Sequence, residues 1–132
     1  MSSGKESRKD GRMRTIDILT VPYTIEFKSF NEDPQFKNHS WIGYCDFYGK
    51  RIVICDPDSI PWFDKSHPRR SKTQMWKHAL RHEIVHAILN ESGLEACAFT
   101  FDGPWPKNEE MVDWIACQGA KIAKAWREAG AI

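Results

Sequence analysis

In the run His82-Glu83-Ile84-Val85-His86 the two histidines stand at i and i+4. On a helix that spacing puts both imidazoles on one face, a turn apart, where a single ion can meet them. That is half of a zinc site. Glu83 projects about 100° further round the helix, off the ligand face but within reach of a water on the open side of the metal, so its carboxylate is placed to be a base. A catalytic zinc commonly takes three protein ligands and leaves a fourth position open, and two imidazoles with one carboxylate is a recurrent set. The later string Asn108-Glu109-Glu110-Met111-Val112-Asp113 offers that carboxylate, with Glu109 and Asp113 again at i and i+4. Glu109 is the first choice. Its rival Glu110 lies about 100° further round and is expected to be a solvated first-turn acid that complements the helix dipole. Glu91, five residues after His86, falls on the wrong face and is expected at the surface.

These residues need two helices to hold them. Met75, Trp76, Leu80, Ile84, Val85 and Ile88 recur at three- and four-residue steps as an apolar stripe, and the spacing predicts a helix over Lys72 to Ser92. Ser71 with Gln74 reads as a capping box at its start, and Gly93 with Leu94 as a left-handed stop. Cys97 to Lys107, with Gly103, Pro104 and Pro106, reads as a turn that returns the chain. Met111, Val112, Ile115, Ala116, Gly119, Ile122, Ala123 and Trp126 then predict a second amphipathic helix over Lys107 to Glu128, packed on the first.

Upstream the pattern is that of a sheet. Ile16 and Ile18, then Tyr23, Ile25 and Phe27, alternate with polar residues on either side of Pro22, as two half-buried strands or one broken strand. Phe30 to Ser40 reads as a loop. Trp41 to Tyr48 and Arg51 to Cys55 flank Gly49-Lys50 as a hairpin. From Asp56 to Arg70 three prolines keep the chain out of regular structure. Trp62, Phe63 and His67 in that connection either overhang a cleft or anchor a solvated excursion, while Lys65, Arg69, Arg70 and Lys72 form a basic cluster expected to be solvated. The expected fold is α+β: a small mixed or antiparallel sheet of three or four strands, followed by two packed helices that carry the metal site.

With 132 residues, 41% of them hydrophobic, and six tryptophans, the chain supports one compact core. We expect a flexible, polar tail over residues 1–14 and a single zincin-like domain over 15–132. A net charge of +1 gives no reason to propose a nucleic-acid surface. Cys45, Cys55, Cys97 and Cys117 lie far apart with no Cys-x-x-Cys pair, which argues against a cysteine zinc site and against a disulfide framework. No run is long and apolar enough for a membrane helix, so the expectation is a cytoplasmic protein with reduced thiols.

His82-Glu-x-x-His86 followed by Asn108-Glu-x-x-x-Asp113 resembles the gluzincin zinc metallopeptidases. The similarity is greatest to their minimal single-domain forms and to small phage-encoded or ImmA/IrrE-like peptidases. It covers the two helices specifically and the sheet only loosely. The resemblance implies that His82, His86 and Glu109 are zinc ligands, that Glu83 is the catalytic base, and that Asp113 orients a liganding imidazole. Larger gluzincins carry a second helical domain that supplies a Tyr or His to the oxyanion, and this chain is expected to lack it. In its place stand His78, one turn before His82 on the same face, His67 in the preceding loop, and Tyr44 or Tyr48 on the hairpin.

The expected activity is hydrolysis of a peptide bond in a peptide or protein substrate. Zinc polarises the carbonyl and lowers the pKa of its bound water toward ~7, while Glu83 takes the water's proton and passes it to the leaving amine. An extended substrate would add alongside the Trp41 to Cys55 hairpin. The alternative is a non-catalytic zinc-containing binding or regulatory module of phage type. A closed structural site wants a fourth protein ligand, for which His78 is the nearby candidate, and such a site has no need of Glu83.

Overall fold

A computed structural model of the chain describes residues 13–39, 42–62, 69–94 and 108–132. Strand β1 (Arg14–Ile18) turns into β2 (Val21–Lys28), a 3-10 turn (Phe30–Glu32) and the short helix α1 (Pro34–His39) follow, and then come β3 (Gly43–Asp46) and β4 (Arg51–Cys55). A second 3-10 turn (Pro57–Ser59) precedes the long helices α2 (Arg69–Glu91) and α3 (Glu109–Glu128). The four strands form one mixed sheet in the order β1-β2-β4-β3, with β2 and β4 parallel and the other pairs antiparallel. The expected α+β architecture is therefore present, with β3 at one edge of the sheet.

Burial in β2 is strictly alternate, and Tyr23, Ile25 and Phe27 face α2 together with Ile52 and Ile54 of β4. In β4, by contrast, Ile52, Val53, Ile54 and Cys55 are all buried, the pattern of a strand covered on both faces. The second cover comes from a stretch that the sequence reads as a loop. Phe30 and Phe36, from the 3-10 turn and α1, pack with Ile60 on Val53 and Cys55, so Phe30 to His39 is a structured lid over the far face of the sheet. The β1–β2 connection is also tighter than the sequence suggests. Leu19 and Thr20 both have positive φ, 49° and 74°, a two-residue turn of the primed kind in which Thr20 N–H donates to Asp17. No Asn-Gly pair announces it.

Helix α2 starts at Arg69, before the proposed Ser71–Gln74 cap, and those two residues lie inside it. It stops as expected at Gly93, whose φ is 86°. Its innermost residues are Ala79 and Ala87, 5% and 0% exposed, with Trp76 stacked edge-on against Phe27 at 5.2 Å. Alanine at these positions lets the helix axis approach the sheet closely. The far end of α2 is tied down by Glu91, which accepts from the Tyr23 hydroxyl and pairs with Lys50 Nζ, both at 2.6 Å. Glu91 is thus a clamp between helix and sheet, correcting its expected place at the surface. The spacing misled because Glu91 follows the Ala79–Ala87 row one turn later, where the sheet supplies two partners.

The edge strand β3 is anchored by Tyr44, whose hydroxyl donates to Asp33. Asp33 is 5% exposed. Burial opposes its ionisation, but the bonds from Tyr44 and the Gln35 N–H, with Lys28 and Arg51 nearby, outweigh burial and hold its pKa below the usual carboxylate range. A group with a depressed folded-state pKa adds stability that is fully present above its unfolded value and is lost as pH falls through the folded one. Asp33→Ala should therefore lower urea-unfolding stability by about 1–3 kcal/mol near pH 7. Below about pH 4 the gap between wild type and variant should narrow.

Candidate metal centre

Helices α2 and α3 pack antiparallel, Val112 and Ala116 of α3 being buried and Arg81 Nε donating to the Ala116 carbonyl at 3.3 Å. Helix α3 starts at Glu109, and Asn108 is its N-cap, accepting from Met111 N–H at 2.9 Å. The cap fixes where the first turn points. Glu109 Oε1 then lies 2.8 Å from His82 Nε2 and 3.2 Å from His86 Nε2, with the two imidazole centroids 5.0 Å apart. Glu110 is exposed and takes no part in the cluster.

One donor atom each from His82, His86 and Glu109 lies within 4.8 Å of the others. Metal–ligand bonds of ~2.0–2.1 Å in a tetrahedral zinc site put donors about 3.3 Å apart, so the two imidazole–carboxylate separations are already near ligand spacing. Their chemistry fits as well, two neutral-capable imidazoles and one carboxylate being a known catalytic set. Asp113 Oδ1 sits 3.2 Å from His82 Nδ1, on the far side of the ring from Glu109. This is the relation in which a carboxylate fixes the tautomer and orientation of a liganding imidazole.

Burial works against a proton on His82, but its bonds to Asp113 and Glu109 outweigh this and raise its pKa. The Asp113 carboxyl is held below its ordinary value by His78 and His82. Glu83 has a different environment. It lies between Ala79 and Ala87 on the sheet-facing row of α2 and borders a cleft of about 760 Å³ with Gly43, Tyr44, Phe47, His82, His86 and Glu109. Burial, with a further push from Glu109 against a pull from His82, raises its pKa to about 7. A Cβ on Gly43 would come within 2.9 Å of Ile54 Cδ1 and 3.6 Å of Glu83 Cγ, so the close approach that glycine allows is to Ile54, with the Glu83 side chain in ordinary contact beyond it.

Comparison of the chain with protein-family models, with curated proteins and with solved structures finds no match. The site is read from its own geometry.

Of the groups considered for the oxyanion, Tyr44 has its hydroxyl engaged by Asp33, and Tyr48 is fully exposed at the β3–β4 turn, away from the cleft. His67 lies outside the described residues, as do Phe63 and Trp41. His78 does border the cleft, but its Nε2 is 2.6 Å from Asp113 Oδ1. Cys117 was not anticipated, and its Sγ approaches both His78 and Asp113 at 4.0 Å. A signal for it exists in the sequence: His78, His82 and His86 step by four, and so do Glu109, Asp113 and Cys117.

If these donors hold zinc, His82→Ala, His86→Ala and Glu109→Ala should each strongly weaken binding measured by competition with a chelator, while Glu110→Ala should not. Asp113→Asn should weaken the same site by roughly 10- to 100-fold. Normal affinity in Glu109→Ala would reassign the carboxylate.

Proposed function

We propose that the protein is a zinc-dependent metallopeptidase of gluzincin type. The observation that carries this reading is the convergence of His82, His86 and Glu109 in one cleft with the partly buried carboxylate of Glu83. Zinc would be held by the first three and would supply Lewis-acid polarisation of a carbonyl and acidification of a bound water.

The chain's own groups account for the rest. Glu83 meets no hydrogen-bond partner among the described residues, leaving its carboxylate to accept a proton from a water in the cleft and return it to a leaving amine. Asp113 holds the His82 ring in place through Nδ1. The edge strand β3 borders the same cleft through Gly43, Tyr44 and Cys45. An extended peptide could add alongside it through backbone hydrogen bonds, which favours loose sequence specificity.

Two observations weigh against a non-catalytic zinc module. His78, the candidate fourth ligand of a closed site, is turned toward Asp113 and Cys117. Moreover, a partly buried carboxylate beside the ligands costs stability that a purely structural site has no reason to bear. A reducing, cytoplasmic setting belongs to the same proposal; no described helix is long and apolar enough to cross a membrane.

Glu83→Gln preserves size and polarity but cannot take the proton, so hydrolysis of unstructured protein or a peptide library by the zinc-loaded enzyme should fall by ~10² to 10⁴. Zinc content should not change. Wild type that cleaves no better than Glu83→Gln would sink the peptidase reading in favour of the binding module.

A further inference from the structure

The contacts between α2 and α3 do not end at Asp113. Following the antiparallel helices, the facing side chains run His86, Glu109, His82, Asp113, His78, Cys117, each within 4.0 Å of the next. The outer three mirror the inner three. In the inner set α2 gives two donors at i and i+4 and α3 gives one; in the outer set α2 gives one imidazole and α3 gives two donors at i and i+4, and one donor atom each of His78, Asp113 and Cys117 can be chosen with all separations within 4.8 Å.

We propose that His78, Asp113 and Cys117 form a second, separate binding site for a thiophilic divalent cation, zinc being the best fit. Thiolate with imidazole selects zinc over magnesium or calcium, which prefer all-oxygen shells. Zn–S near 2.3 Å and Zn–N or Zn–O near 2.0–2.1 Å require donors about 3.3–3.6 Å apart in a tetrahedron. Cys117 Sγ lies 4.0 Å from His78 Nδ1 and 4.0 Å from Asp113 Oδ2, so these three atoms would hold the ion after a slight closing of the two separations from sulfur, while the 2.6 Å contact of His78 Nε2 with Asp113 Oδ1 uses the other nitrogen and the other oxygen. Binding releases the thiol proton to solvent and leaves Cys117 as thiolate. Asp113 has an oxygen for each duty. Oδ1 faces His82 Nδ1 and Oδ2 faces Cys117, so one carboxylate would orient a ligand of the inner site and ligate the outer ion. Cys117 is exposed, which gives the ion an entry path and leaves a fourth position for water.

This site does not depend on the peptidase reading, and its test is built to keep the two apart. Metal-free full-length protein, kept reduced, is titrated with zinc and separately with cobalt(II), whose bond to thiolate gives a near-ultraviolet charge-transfer band. Cys117→Ser, a nearly isosteric change at an exposed position, should bind one zinc fewer per chain than wild type and lose the cobalt–thiolate band. His86→Ala, which touches only the inner site, should keep the band. Equal zinc stoichiometry in Cys117→Ser and wild type would overturn the proposal. So would a band that survives Cys117→Ser, since another of the chain's four cysteines would then be its source.

Discussion

The close approach of α2 to the sheet is the constraint on which the site depends. Ala79 and Ala87 are the contact points, and between them on the same row stands Glu83. A larger side chain at either alanine would lift the helix, and overpacking of a tight core typically costs 1–3 kcal/mol before any function is considered. Because the helix sits so low, Glu83 is pressed toward β3 and its charge is only half favoured near neutrality, with a pKa of about 7. The packing that stabilises the fold is also what makes this carboxylate unlike the solvated acids elsewhere on the chain. Gly43 stands at the same strand edge, where a Cβ would crowd Ile54 and lie in ordinary contact with Glu83.

The facing row between α2 and α3 obeys a second rule, electrostatic alternation. Each imidazole lies beside a carboxylate, and His82 lies between two. Such a row favours positive charge between its members. Without a cation the favoured charge is a proton, which is why the pKa of His82 rises against its own burial. A divalent ion would compete for the same nitrogens, since a liganding imidazole must be neutral on the bonding atom. The field that attracts protons and the field that attracts a metal have one source, so occupancy of the inner site should be strongly pH-dependent on the acid side.

What the sequence discloses about this site follows from distance along the chain. His82, Glu83 and His86 are fixed relative to one another by one helical turn, so their geometry is legible from spacing alone. Glu109 and Asp113 are legible as a pair, but their partnership with the histidines rests on the packing of two helices separated by a segment outside the described residues; the resemblance to a known motif order bridges that gap. His78 and Cys117 are 39 residues apart, and only the antiparallel register brings them together. The same limit explains the errors in the fold. Phe36 and Phe30 look like isolated aromatics in a polar loop until the second face of β4 is seen to need a cover. Glu91 looks like a surface acid until Tyr23 and Lys50 arrive from the sheet.

The tyrosines of the hairpin show where a plausible sequence assignment yields to energetics. Tyr44 borders the cleft, and from spacing it is as good an oxyanion donor as any. Its hydroxyl, however, is committed to Asp33, which is almost wholly buried and carries a charge that this bond helps to hold. Turning Tyr44 toward the cleft would strand that carboxylate, at a cost of about 1–3 kcal/mol or more for a charged group. A donor that must first give up such a bond offers little net help to a transition state, because only interactions stronger there than in the ground state accelerate a reaction. On the peptidase reading, oxyanion stabilisation would therefore rest on a bound zinc rather than on this hydroxyl.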